Sequence, residues 1–155
     1  MDRLVVGYCR ISSNEGAERG TSIERQKDLI TNYCKFKGLP TPQFHIDEAI
    51  SGFKNNRPEF QKVISLIKAK RVSHVIVFDL SRLARNVKTT LDTVDLMEKM
   101  NVTFISLSED IRTDTAVGRC FLTICSSFHQ LLRDQTSEKM TITWRHKKER
   151  CEKGP

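Results

Sequence analysis

The chain has 155 residues, 38% hydrophobic and 29% charged, a balance that fits one folded domain with its own core and excludes a disordered or low-complexity chain. No apolar run approaches the roughly 18 to 20 residues that cross a bilayer, and the N-terminus lacks the apolar stretch of a secretion signal, so a cytoplasmic protein without membrane contact is expected. A net charge of +7 and a pI near 9.3 argue for an anionic partner.

Leu4 to Cys9 is a short apolar run with β-branched members, which predicts a first strand over 3–9. A polar loop punctuated by Asn14, Gly16 and Gly20 follows, and Thr21 with Glu24 three residues on predicts a capping box that opens a helix. That helix turns Ile23, Ile30 and Tyr33 inward and ends at Gly38 and Pro40. A second strand is predicted over 43–47, followed by a polar loop from Glu48 to Arg57. Pro58 suits a first helical turn, and Phe60, Val63, Ile64 and Ile67 recur at helical spacing. The run from His74 to Asp79 reads as a buried third strand, a helix carrying Val87, Leu91, Val94 and Met97 follows, and 102–107 reads as a fourth strand.

Such alternation implies an α/β fold: a mostly parallel sheet of about four to five strands flanked by helices, with its ligand site at the carboxyl ends of the strands. From 116 to 152 the chain has no proline and, apart from Gly118, no glycine, which predicts one long C-terminal helix. Val117, Phe121, Ile124, Phe128 and Leu131 form a narrow apolar seam along it. A helix of about 37 residues spans about 55 Å, too long for a core this small, so its far half must project or find a partner. The expected organisation is therefore a core over 1–115 and a long helix over 116–155.

Within 139–155 six basic residues stand against two acidic ones, which concentrates positive charge there. Arg145, Lys147, Lys148 and Arg150 either form a solvated helix face or contact phosphates along a nucleic acid. Trp144 among them either stacks on a base or packs against a partner helix. The five cysteines (Cys9, Cys34, Cys120, Cys125, Cys151) form no CxxC pair, which points to a reducing compartment. Cys125 and His129 share a helical face, but no further ligand pair joins them, and no metal is expected.

The loops after the strands carry the chemistry. Arg10, Ser12 and Ser13 follow the first strand, Ser51 and Arg57 the second, and Ser81-Arg82-Leu83-Ala84-Arg85-Asn86 the third. Four arginines, Arg10, Arg57, Arg82 and Arg85, thus face one edge of the sheet. Displacement at a phosphodiester builds negative charge on the non-bridging oxygens, and guanidinium groups held there lower that barrier and ease deprotonation of a nearby serine. A metal nuclease would need clustered carboxylates instead, for which Asp47, Glu48 and Asp79 are the candidates. Tyr8 and Cys9 read as packed strand residues.

Taken in order, Tyr8-x-Arg10-Ile11-Ser12, Ser22-Ile23-x-x-Gln26, Ser51-Gly52 with Arg57-Pro58, and Ser81-Arg82-Leu83-x-Arg85-Asn86 resemble the motifs of the serine recombinases, the resolvase/invertase family. The resemblance spans essentially the whole chain. It implies Ser12 as nucleophile, Arg10, Arg57, Arg82 and Arg85 as phosphate ligands, and Gln26 and Ser51 as supporting residues. It further implies a 5′-phosphoserine intermediate on double-stranded DNA, no cofactor, and a homo-oligomer that is a dimer and, in the synaptic complex, a tetramer. Thr113-x-Thr115-Ala116-x-Gly118-Arg119 resembles the segment that opens the family's long helix. The long loop between Ser12 and Gln26 resembles the large serine branch of phage-type integrases and related transposases. That branch appends DNA-binding domains, which are expected to lie outside this sequence, and it implies a bacterial or phage origin. Ser81 stands where many members carry aspartate, and Leu132-Arg133 where the long helix often carries Glu-Arg. Two other readings follow from the residues: a DNA-binding or assembly module that has lost its chemistry, and a metal-dependent nuclease.

Overall fold

The computed structural model describes residues 3–11, 22–48, 57–83, 87–124 and 127. Five strands form one sheet in the order β2-β1-β3-β4-β5, where β1 is Leu4–Arg10, β2 Gln43–Asp47, β3 Val72–Val77, β4 Thr103–Ser106 and β5 Ile111–Arg112. The first four run parallel, and β5 turns back antiparallel to β4 through a turn in which Asp110 takes φ 52°. Helices α1 (Ile23–Lys37), α2 (Pro58–Lys68), α3 (Leu80–Leu83) and α4 (Val87–Lys99) connect the strands, and a further helix, α5, starts at 116 and is described to 124.

Side-chain alternation along β1 explains the layering. Val5 and Cys9 point to the face covered by α1, where they pack with Ile23, Ile30, Cys34, Ile76 and Ile105. Val6 and Tyr8 point to the other face, where α2 and α4 bring Phe60, Val63, Ile67, Leu91, Val94 and Met97 against Val75, Val77 and Phe104. Each aliphatic or aromatic side chain taken fully out of water contributes roughly 1.5–3 kcal/mol. Both faces are covered, as the near-continuous apolar run of β3 requires.

Local chemistry moves several boundaries from their expected places. The cap of α1 is Ser22, not Thr21: its Oγ accepts from the Arg25 amide at 3.2 Å, which puts Glu24 inside the first turn, where its charge suits the helix dipole. At the other end Gly38 adopts φ 66°, a left-handed cap that a residue with a Cβ rarely takes, and the Leu39 amide closes on the Cys34 carbonyl. Cys34, rather than Tyr33, is the fully buried residue of that turn, with Tyr33 half-buried beside it. Strand β3 runs from 72 to 77 instead of 74 to 79, because Asp79 bends back to accept the Arg82 amide and starts a short helix. Among the described residues no helix is long and apolar enough to cross a membrane.

The start of α5 is built on close approach. Thr115 Oγ1 accepts from the Gly118 amide at 3.0 Å as its cap. A Cβ on Gly118 would stand 1.9 Å from the Arg112 carbonyl oxygen, so only glycine lets this helix sit on β5. Of the expected helix over 116–152, the described part is 116–124; the seam residues Phe128 and Leu131 lie outside the described residues.

Candidate active site

The chain passes from β1 to β2 on one side and then crosses to β3 on the other, so the strand order reverses between β1 and β3. At such a switch point the loops leaving the carboxyl ends diverge and leave a crevice. Arg10, the last residue of β1, and the turn over 78–83 after β3 line it.

Three arginines meet there through one another's backbones. Arg10, 8% exposed, donates from Nη2 to the Ser81 carbonyl at 2.8 Å. Arg82, 5% exposed, donates from Nη1 to the Arg10 carbonyl at 3.2 Å and from Nε to Asp79 Oδ2 at 3.2 Å. Arg57 reaches across from the start of α2, its Nη2 donating to the Arg82 carbonyl at 3.1 Å and the Leu83 carbonyl at 2.5 Å. Its guanidinium lies 4.0 Å from the Phe60 ring centroid and 5.3 Å from that of Tyr8. Burying Arg10 and Arg82, and Arg57 in part, costs solvation, which fixed carbonyl and carboxylate acceptors offset.

Gln26, from α1, is buried and holds the Arg10 peptide from both sides, Nε2 donating to the carbonyl at 3.2 Å and Oε1 accepting from the amide at 3.3 Å. Tyr8 sits beneath Arg57. Its hydroxyl accepts from Arg57 Nε at 3.1 Å and Nη2 at 2.8 Å and donates to Asp47 Oδ2 at 2.9 Å. Burial pushes the Tyr8 phenol well above its ordinary range although Arg57 pulls the other way, which keeps it protonated as Asp47's donor. Burial likewise pushes the neighbouring Cys9 thiol up to about 12.

Asp47 has a second task. Arg57 precedes α2 and supplies no side-chain cap, so the first amides of the helix need an outside acceptor. Asp47, at the end of β2, provides it: Oδ1 accepts from the Glu59 amide at 3.1 Å and Oδ2 from the Phe60 amide at 3.0 Å. One carboxylate therefore ties β2, β1 and α2 together under Arg57.

The structure thus brings together Arg10, Arg57, Arg82 and Gln26 of the residues expected at the site. Ser12, Ser51 and Arg85 lie outside the described residues, as do Arg145, Lys147, Lys148, Arg150 and Trp144, and the Cys125–His129 pair. Asp47 and Asp79 are engaged with separate sets of donors, Glu48 is exposed, and among the described residues no group of three or more His, Cys, Asp or Glu could hold a metal ion. Sequence reasoning missed the Tyr8 hydroxyl, the capping role of Asp47, and Glu109, whose carboxylate accepts from the Leu80 amide at 3.3 Å and from the Ser106 hydroxyl. For Asp47 a signal existed, since a helix opening on Arg57-Pro58 has no cap of its own.

An α/β domain with arginines converging at its switch point belongs to the proteins that handle phosphate groups. Comparison narrows this: the family model described as Resolvase, N terminal domain, matches residues 5–152, and the chain belongs to that family as a serine recombinase catalytic domain. It is similar to the crystal structure of the N-terminal catalytic domain of TP901-1 integrase, at 36% identity and a TM-score of 0.75, over 86% of this chain and 98% of that one. It is also similar to a resolvase family site-specific recombinase from Streptococcus pneumoniae, at 25% identity and a TM-score of 0.77, over 94% of this chain and 98% of that one. The Tn917 transposon resolvase of Enterococcus faecalis is 26% identical over 151 residues, which are 97% of this chain and 74% of the relative.

Proposed function

We propose that this chain cuts and rejoins double-stranded DNA in site-specific recombination, with Ser12 as the nucleophile. The observation that carries this reading is the interlocked trio of Arg10, Arg57 and Arg82 at the β1/β3 crevice, with Arg10 two residues before Ser12 in the sequence. The Ser12 oxygen attacks phosphorus and gives up its proton, the O3′–P bond breaks, and the leaving oxygen takes a proton to become a 3′ hydroxyl. A 5′-phosphoserine ester remains. Rejoining reverses these steps with a 3′ hydroxyl as nucleophile, so no high-energy cofactor is consumed. Arg10, Arg57, Arg82 and Arg85 hold the phosphate and stabilise the charge that develops on it. Gln26 and Ser51 keep that cage in place.

The likeness to the catalytic domain of TP901-1 integrase and the long loop between Ser12 and Gln26 support placement in the large serine branch. The core over 1–115 performs the chemistry, and the helix over 116–155 joins protomers and carries Arg145, Lys147, Lys148 and Arg150 along the DNA backbone. The working unit is a dimer that pairs into a tetramer on two DNA sites, in the cytoplasm of a bacterial cell.

The test is to trap the intact recombinase on a suicide DNA substrate bearing its recombination site and to map the modified residue by mass spectrometry. A 5′-phosphate on Ser12, absent in Ser12→Ala and indifferent to EDTA, is the expected result. A link at Tyr8, or cleavage that survives Ser12→Ala, overturns the reading.

A further inference from the structure

We propose that Glu109, in the turn between β4 and β5, is a positioning residue for the arginine-bearing turn after β3, acting together with Asp79 to fix where Arg82 stands. The inference rests on the reading that Arg82 holds the scissile phosphate. Helix α3 is a single turn in which the Arg82 amide closes on the Asp79 carbonyl at 3.1 Å, while the amide of its first residue, Leu80, precedes any such bond and needs an outside acceptor. Two carboxylates supply partners from different directions. Glu109 Oε1 accepts from the Leu80 amide at 3.3 Å, from 29 residues further along the chain. Asp79 Oδ1 accepts from the Arg82 amide at 3.2 Å and from the Ser81 hydroxyl, while its Oδ2 takes Arg82 Nε at 3.2 Å.

Glu109 is itself anchored. The second oxygen of Glu109 accepts from the hydroxyl of Ser106, a fully buried residue at the end of β4. The backbone runs parallel to this bond: the Leu107 amide donates to the Val77 carbonyl at 3.1 Å and the Ser108 amide to the Phe78 carbonyl at 2.8 Å. The turn after β3 is thereby stitched to the end of β4 by backbone bonds on one residue pair after another, and Glu109 extends the stitching to the first residue of α3. Without Glu109 the Leu80 amide loses its acceptor and α3 can swing about residues 78 and 79, carrying Arg82 with it.

A carboxylate beside a phosphate site repels the substrate unless its charge is already committed, which argues for positioning and against phosphate contact. Placement matters at this scale because a shift of about 1 Å in a catalytic group can cost on the order of a hundredfold in rate. Glutamine at this position retains an acceptor for Leu80 and offers a donor to Ser106, so geometry and charge can be separated.

The experiment measures single-turnover cleavage of the suicide substrate and DNA affinity in parallel, with the intact recombinase. Glu109→Ala is expected to slow cleavage by roughly ten- to a hundredfold with DNA affinity within about threefold of wild type, and Glu109→Gln to restore the rate to within about threefold. Ser106→Ala, which frees one carboxylate oxygen without touching α3, is expected to slow cleavage by about two- to fivefold. Cleavage by Glu109→Ala at the wild-type rate, equal damage from Glu109→Gln and Glu109→Ala, or a parallel loss of affinity and rate overturns the proposal. Should Glu109→Ala fail to fold, a wild-type rate in Ser106→Ala overturns it as well. Failure of the nucleophile assignment is separate, because it shows as an adduct that persists in Ser12→Ala whatever the state of Glu109.

Discussion

The crevice between β1 and β3 and the first turns of α5 solve opposite problems with the same chain. At the crevice, charge that water would otherwise solvate is buried and answered from within: Arg10, Arg57 and Arg82 are met by carbonyls, Asp79 and the Tyr8 hydroxyl. On α5, apolar surface that a core would otherwise cover is left in water: Val117 is 81% exposed, Ile124 60% and Phe121 43%. One region is finished by its own chain. The other exposes an apolar stripe that the described residues do not cover.

The sharpest way to probe this contrast is by thiol reactivity, because the core beside the crevice and α5 each hold a cysteine. Cys9 is fully buried in β1 with its pKa pushed up to about 12, and Cys34 is buried in α1, whereas Cys120 is exposed on α5. Cys9 is both shielded and held protonated, so a thiolate-directed reagent at pH 8 should modify the exposed Cys120 far sooner than Cys9. Peptide mapping after iodoacetamide treatment measures it. Since the folded protein holds the Cys9 proton more tightly than the unfolded chain, this residue's contribution to stability is complete below about pH 8.5 and declines as pH rises towards 12. Rapid labelling of Cys9 at pH 8 would mean that the layer between α1 and β1 opens readily and is not a closed structure.

Next in size is the loss of the hub beneath Arg57. Asp47→Ala removes the partner of Tyr8 and the caps of Glu59 and Phe60 together, and should cost about 3 kcal/mol in urea unfolding, against about 1 kcal/mol for Tyr8→Phe. Equal, small costs would show that the two residues do not act as one unit. Gly118→Ala tests the base of α5 by the sign of its effect. Helix propensity alone favours alanine by about 1 kcal/mol, whereas the clash with the Arg112 carbonyl predicts a net loss of about 2 kcal/mol. A stabilised Gly118→Ala protein would show that α5 does not rest on β5 as described.

Periodicity carried most of the fold: β2 was placed residue for residue, and the inward residues of α2 and α4 follow from spacing alone. Strands β1, expected over 3–9, and β4, expected over 102–107, shifted by a residue at each end, and two further boundaries were set by a side chain turning back on the backbone, at Ser22 and at Asp79, which no pattern of apolar residues encodes. β5 is two residues long and is made by a turn, too short to register as alternation. At the site, the arginines were legible because their position after successive strands is a property of the sequence. Their polar surroundings were not, since Tyr8, an acceptor for Arg57, reads as one more apolar strand residue, and Glu109 lies 29 residues from the Leu80 amide it holds. Long-range polar pairs of that kind depend on sheet order, which was known only once β1 and β3 were seen side by side.

The smallest expected effect is also the one that decides how the two regions differ. Val117→Ser and Ile124→Ser each remove an apolar side chain that the described part of the domain leaves in water, so each should change the stability of the monomer by no more than about 0.5 kcal/mol. Substitution in the crevice should behave in the opposite way, with stability falling whatever the protein concentration. If the apolar stripe meets a second copy, the two variants should shift the monomer–dimer balance in sedimentation towards monomer while leaving the melting of the dilute protein unchanged, because only association removes that surface from water. A loss above about 1 kcal/mol in dilute solution would reverse the contrast. It would place the stripe under its own chain, making α5 part of the domain's interior and leaving the crevice as the only face turned towards a partner.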